Sequence, residues 1–266
     1  MKILFIGIGK MANIFINNFD QYNLVDEFFL YNRTVSKAET LSKNLKHKNS
    51  VLKNLDKIPT VDFIFLAVKP QNINEVGELL KGQKLKGVTL ISLLAGTSIK
   101  EIYKNTNIEN IVRVMPNTAI AKNSGCSTIY FNEQITEKIK KEVEMLLSRT
   151  GQITILNSEE AIDKVTPING SAPAIIFELA SYMVDYLKAQ GIDANLARKT
   201  VTATFLGAAK LMDDSPKSLE ELVNEVTSKG GSTIKALSFY RDQKLNEIII
   251  NGLNESYKRV RELGNN

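Results

Sequence analysis

The sequence predicts an α/β fold followed by an all-α domain, with the boundary near residue 156. Three observations carry this. Short apolar runs alternate with helical patterns through the first half. The first apolar run leads straight into a glycine-rich turn. Strand patterns then stop at Ser158, and the remainder reads as helices. A chain of 266 residues has room for two cores, one over residues 1–156 and one over 157–266.

Lys2 to Ile6 is an apolar run of the kind found in strands buried on both faces. Gly7, Ile8, Gly9, Lys10, Met11 and Ala12 follow as G-x-G-x-x-A and open the helical stretch "KMANIFINNF". In a dinucleotide fingerprint the first glycine makes the turn and the second admits a pyrophosphate. The small third residue lets helix and strand pack closely. The strand before it and the helix after it make this a Rossmann-type nucleotide site rather than a lone glycine turn. A second strand, "EFFLYNRT", ends in Asn32, Arg33 and Thr34 where an NAD site would carry a carboxylate for the ribose. A guanidinium there pairs with a 2′-phosphate. The expectation is NADP(H) as preferred cofactor, with NAD(H) also usable.

Three more strands are expected in "VDFIFLAVKP", "GVTLISLLAGTS" and "NIVRVMPNTA". They end at Ala67-Val68-Lys69-Pro70, at Ala95-Gly96 and at Met115-Pro116-Asn117-Thr118. Turn-forming residues at strand ends suit a nucleotide lying along one sheet edge. An amphipathic helix, "EKIKKEVEMLLSRTG", and a short strand, "QITIL", close the first domain. In the second half a long helix is expected to start near Pro173 and stop at Gly191, and Asp193 is expected to cap the next one. The stretch "VNEVTSKGGSTIKAL" places Ser228, Gly230, Gly231, Ser232 and Thr233 before another helix. Read from the residues alone, it is either a tight turn with a hydroxyl cap or a site where helix N–H groups meet an anion.

Composition narrows the function. Net charge is +5 but Lys and Glu are interleaved, so no nucleic-acid footprint is present. Cys126 is the only cysteine, which removes disulfide frameworks and thiol metal sites, and a small buried side chain is expected of it. His47 is the only histidine and lies in the polar run "NLKHKNS", where a solvated ring is expected; a Ser-His-Asp hydrolase or histidine-ligated metal enzyme has no support. No apolar run reaches membrane-spanning length, and a soluble cytoplasmic protein is the expectation.

Taken together, the fingerprint, "AVKP", "LLAGTS", "RVMPNTA", "VTPINGSAPAIIFEL", "ATFLGAAKLM" and "EVTSKGGSTIKAL" resemble the pyrroline-5-carboxylate reductase family over essentially the whole chain. The resemblance implies hydride transfer from NAD(P)H to the C=N bond of 1-pyrroline-5-carboxylate, giving proline. It implies a homodimer through the helical domain, with rings of dimers as a larger assembly. Gly7 to Ala12 would hold the pyrophosphate, and Asn32, Arg33 and Thr34 would meet the adenosine ribose. Asn54 matches a cofactor contact, while Ala67 to Pro70 and Ala95-Gly96 would line the path to the nicotinamide. Glu159 matches a substrate-pocket position. Ser228, Gly230, Gly231 and Ser232 would receive the substrate carboxylate, and Thr233 would place its hydroxyl near the ring nitrogen. The chain departs from the family pattern at Asn169, Ala172, Ile175, Glu225 and Lys229. The alternatives are a related NADP-dependent imine, ketopantoate or β-hydroxyacid reductase with Lys164 or Lys210 as acid, or a non-catalytic NADPH-binding protein.

Overall fold

A computed structural model describes residues 1–264. The chain forms β1 (Lys2–Ile6), α1 (Lys10–Gln21), β2 (Glu27–Tyr31), α2 (Val35–Ser42), β3 (Lys48–Leu52), β4 (Phe63–Leu66), α3 (Ile73–Lys81), β5 (Thr89–Ser92) and α4 (Ile99–Thr106). It continues with β6 (Asn110–Pro116), β7 (Gly125–Phe131), α5 (Glu137–Ser148) and β8 (Gly151–Ile155). Helices follow: α6 (Glu159–Thr166), a π-turn at Pro167–Ser171, α7 (Ala172–Ala189), α8 (Ala194–Asp214), α9 (Leu219–Glu225), α10 (Ser232–Asp242) and α11 (Leu245–Leu263).

The strands form one sheet in the order β3-β2-β1-β4-β5-β6-β7-β8. The first six are parallel, as the alternating pattern predicts; β7 runs antiparallel to β6, and β8 is parallel to β7. This is the doubly wound order, extended by two reversed strands. β1 and β4 are almost wholly apolar and buried, as strands covered on both faces must be, and β5 is buried throughout although Thr89 and Ser92 are polar. On α1, Ala12, Phe15, Ile16 and Phe19 recur at helical spacing and are fully buried. Phe15 and Phe19 meet Phe65 of β4, which stacks on Phe5 of β1 at 4.6 Å between ring centroids.

Two strands go unseen in the sequence reading. β3 is an edge strand of polar and half-buried residues, "KNSVL", so it lacks the apolar signal of a central strand. β7 is largely buried, but its "GCSTIYF" follows a loop closely and reverses direction, which breaks the strand-helix alternation. Two further expectations need correction. His47 is not a solvated ring: its side chain is 24% exposed, and its Nδ1 donates to Asp20 Oδ1 at 2.8 Å. Cys126 is half-buried rather than buried, because β7 pairs only with a short edge strand there and its Sγ lies 4.0 Å from Thr154 Oγ1.

The domain boundary also shifts. One compact unit takes in residues 1–173 together with the chain from Glu255 onward, and a second comprises residues 174–254. The reason lies in α6. Arg113 of β6 is 2% exposed and bonds Glu159 Oε1 at 3.1 Å and Asp163 Oδ1 at 2.7 Å, so both carboxylates tie α6 to the sheet. The long helix expected near Pro173 is α7, which starts at Ala172. α6, the π-turn and α7 run on without interruption, and Asn169 of the π-turn is buried. Asn169 donates to the Met115 carbonyl and accepts from Asn117 Nδ2, so this departure from the family pattern fastens the π-turn to the end of β6. The expected stop at Gly191 (φ 83°) and the Asp193 cap, which accepts from the Asn195 and Leu196 amides, are both present.

Asp20 offers a test of the first unit's stability. Burial pushes its carboxyl up, but the amides of His47 and Lys46 and the His47 ring all donate to it, and the net shift is downward. A lowered folded-state value means that its contribution is complete above the ordinary carboxylate range and is lost as pH falls through the folded value. Asp20→Asn should therefore cost about 1.5–3 kcal/mol near neutrality. The gap to wild type should close in urea melts below about pH 4. An equal loss at all pH values would show that charge is not what stabilises this contact.

Candidate active site

The cleft at the carboxyl ends of β1, β2 and β4 follows from strand register. Ile6 pairs with Tyr31 on one side and Leu66 on the other, so the turns that begin at Gly7, Asn32 and Ala67 emerge side by side. The Gly7 amide donates to the Tyr31 carbonyl at 2.8 Å, and the Ala67 amide donates to Ile6 at 2.9 Å. The chain passes outward from β1 to β2 and β3, then returns to β4 on the other side. A crevice therefore opens at the reversal point, where open α/β sheets bind ligands.

Gly7 has φ 94°, and a Cβ there would lie 2.8 Å from the Ala67 carbonyl oxygen and 2.9 Å from the Val68 nitrogen. Both features demand glycine. Gly9 differs: its φ is −85° and an added Cβ would find only Ala67 O at 4.0 Å. Its small size keeps the N-terminus of α1 bare. Gly9 caps that helix without a side-chain hydrogen bond, and the first turn carries no acidic residue. Its unpaired N–H groups form a ready anion seat.

The cleft measures about 390 Å³ and is lined by Gly7, Ile8, Gly9, Asn32, Arg33, Thr34, Ala67, Val68 and Lys69, nine residues singled out from sequence. Asn32 is chiefly a brace: its Oδ1 accepts from the Ile8 amide at 2.9 Å and its Nδ2 donates to the Thr34 carbonyl. Arg33 is 78% exposed and approaches Glu75 at 4.0 Å. Lys10 lines an adjoining, more open hollow with Gly9 and Lys37. Met11 and Ala12 face the core, and Pro70 starts a short 3-10 turn. Asn54 is exposed and accepts from the Asp56 amide, outside the lining of the cleft. Gly96 (φ 72°) stands where a Cβ would strike the Val260 carbonyl at 2.2 Å, so close packing against α11 accounts for it. Ala95, beside it, is half-buried and also lies outside the lining. Sequence reasoning missed Lys37, Gln71, Asn72 and Glu75, which also line the cleft. Lys37 lies on α2, Gln71 and Asn72 on the 3-10 turn and Glu75 on α3, and only the fold brings them in.

Glu159 is committed to structure. Its Oε1 accepts from Arg113 and from the Ile99 amide at 2.6 Å, where α4 begins. Lys164 bonds Glu160 at 2.9 Å, and that bond raises its pKa, away from the range of a proton donor near neutrality. Lys210 is exposed.

In the second unit, the Gly231 amide donates to the Ser228 carbonyl at 3.0 Å across Lys229 and Gly230, and Gly230 has φ 79°. This is the backbone of a type II turn, with glycine at the position that requires positive φ. A Cβ on Gly231 would meet Ser228 Oγ at 2.5 Å. Gly231 then caps α10 with no side-chain bond. The hydroxyl-cap reading of this stretch is thereby replaced: Ser232 and Thr233 lie inside the first turn of α10, beside N–H groups that no side chain has taken.

Comparison with known proteins agrees with this arrangement. Residues 159–263 match the family described as pyrroline-5-carboxylate reductase dimerisation, and residues 2–96 match NADP oxidoreductase, coenzyme F420-dependent. A pyrroline-5-carboxylate reductase of Haemophilus influenzae is 30% identical over 98% of this chain and 97% of its own. The structure of a pyrroline-5-carboxylate reductase from Coxiella burnetii superposes with a TM-score of 0.87 at 28% identity, covering 98% of this chain and 97% of that one. The Plasmodium falciparum pyrroline carboxylate reductase solved with NADP bound shares the fold, with a TM-score of 0.88 at 22% identity over 99% of this chain and 98% of that one. On a relative alike from end to end, and on a fingerprint, a sheet order and a helical half that agree with it, this chain belongs to the pyrroline-5-carboxylate reductase family.

Proposed function

We propose that this chain reduces 1-pyrroline-5-carboxylate to proline at the expense of NADPH. The observation that carries the reading is the bare N-terminus of α1, facing a cleft that Gly7, Asn32 and Ala67 build at the sheet's reversal point. When bound there, the dinucleotide would supply hydride. Gly9 and the first N–H groups of α1 would hold its pyrophosphate, and Arg33 and Lys37 would meet the phosphorylated ribose. The turn at Ser228–Gly231 and the first N–H groups of α10 would hold the substrate carboxylate, and the Thr233 hydroxyl would accept a hydrogen bond from the protonated ring nitrogen and so orient it. A protonated cyclic imine is already electrophilic at carbon. The protein's task is then to position it and exclude water, without a strong acid. Lys164 is engaged in an exposed pair with Glu160 on α6.

The helical unit supports association. In residues 174–254 only Ala197 and Val201 are buried hydrophobics, while Phe177, Tyr182, Tyr186 and Leu206 are each more than half exposed. A homodimer through this unit, and rings of such dimers, complete the proposal. A cytoplasmic location fits a chain in which no described helix is long and apolar enough to cross a membrane.

Three measurements test these statements. NADPH consumption with pyrroline-5-carboxylate should exceed that with a panel of ketoacids, and Thr233→Val should lower kcat/KM about ten- to a hundredfold, the equivalent of a lost charged hydrogen bond of about 1.5–3 kcal/mol. Because Thr233 caps nothing, its melting temperature should stay put. A destabilised variant with normal kcat/KM would remove Thr233 from the site. Arg33→Ala should weaken NADPH far more than NADH; equal losses would separate Arg33 from the 2′-phosphate. Sedimentation at micromolar protein should give at least a dimer, and a clean monomer would refute the assembly.

A further inference from the structure

The nucleotide cleft contains a carboxylate that the binding chemistry does not need. Glu75 lies in the first turn of α3, four residues after Gln71, and lines the same cleft as Arg33, Thr34 and Lys37. Its Oε2 stands 4.0 Å from Arg33 Nη1, and the two side chains are 61% and 78% exposed. An acid in a helix's first turn is favoured locally by the helix dipole. Its effect on a phosphate beside Arg33 is the opposite: it engages the guanidinium and repels the incoming charge.

We propose that Glu75 is a selectivity residue of this cleft, competing with a 2′-phosphate for Arg33 and so limiting the preference for phosphorylated over unphosphorylated dinucleotide. The inference rests on the nucleotide reading of the cleft given above. A dinucleotide with a free 2′-hydroxyl brings no charge to Arg33 and leaves the Arg33–Glu75 pair in place. A 2′-phosphate must separate that pair and then sit near the released carboxylate. Lys37, on the same wall, supplies the second cation that keeps the balance on the side of the phosphate. Arg33, Lys37 and Glu75 together set the preference, and Glu75 is the only one of the three that lowers it.

The test uses two probes that need no turnover, adenosine 2′,5′-bisphosphate and adenosine 5′-monophosphate, titrated by calorimetry into the full-length protein. Glu75→Gln should tighten the bisphosphate about three- to fivefold, the upper range of an exposed charge acting through solvent. It should leave the monophosphate within about twofold, and the gain should shrink as salt is raised. Glu75→Asp should stay close to wild type. In an Arg33→Ala background the gain should largely vanish, because Glu75 acts through Arg33. Equal changes for both probes, or no change for the bisphosphate, would overturn the assignment. If wild type binds both probes and Glu75→Gln is inert, this inference alone falls. If wild type binds neither, the nucleotide reading falls and takes this one with it.

Discussion

The first half of the molecule depends on one close approach of backbone to backbone. Gly7 turns at the end of β1 with positive φ while lying against the peptide that joins Ala67 to Val68 at the end of β4. A side chain at Gly7 would force the two strand ends apart. That would break the register of Ile6 with Leu66 and swing the N-terminus of α1 away from the crevice. The cost of such a change has two parts, strain at a left-handed position and a clash with backbone that cannot rotate aside. The hydrophobic packing of Ala12, Phe15 and Phe19 onto the sheet holds α1 in direction; Gly7 decides where it begins.

The site was legible where its chemistry is local and illegible where it is made by folding. Gly9 is legible only through the spacing of the motif, whereas Gly7 and Ala12 announce themselves because each meets a constraint of its own backbone or immediate packing. Gly230 does so for the same reason, since a type II turn needs positive φ at that place. Glu75 carries no such mark. It reads as an ordinary acid in a helix's first turn until the parallel pairing of β1 with β2 and β4 sets it across from Arg33. Glu159 is the converse case. Its sequence position suggested a ligand, and the tertiary structure uses it to neutralise buried Arg113. The strands that went unread, β3 and β7, lack the signals of central parallel strands: one is a polar edge, the other runs in reverse.

The charges around the turn at Ser228–Gly231 are balanced locally. Glu225 closes α9 just ahead of the turn at Ser228–Gly231. Its carboxylate is bonded by Lys217, which offsets most of its field in solvent. Lys229, at the second position of the turn where a proline would be the stiffer choice, adds a positive charge in return. Neither charge occupies the backbone of the turn or the first turn of α10, which Gly231 caps without a side-chain bond.

The same loop ties chemistry to assembly. A helical unit whose buried hydrophobics reduce to Ala197 and Val201 has little of its own to fix α7 to α11 in place. Exposed patches of that extent on a single chain mark a surface meant for another protein, and the match of residues 159–263 to a dimerisation family agrees. The glycine turn and α10 belong to this unit, so their geometry depends on whatever covers its apolar faces. The nucleotide cleft does not share this dependence. Its three turns are set by pairing within one buried sheet, which is complete in a single chain. Dilution of the assembly should thus act first on the turn at Ser228–Gly231 and α10, and only later on the cleft at the sheet edge, because one belongs to the unit with little buried core and the other is set by strand register.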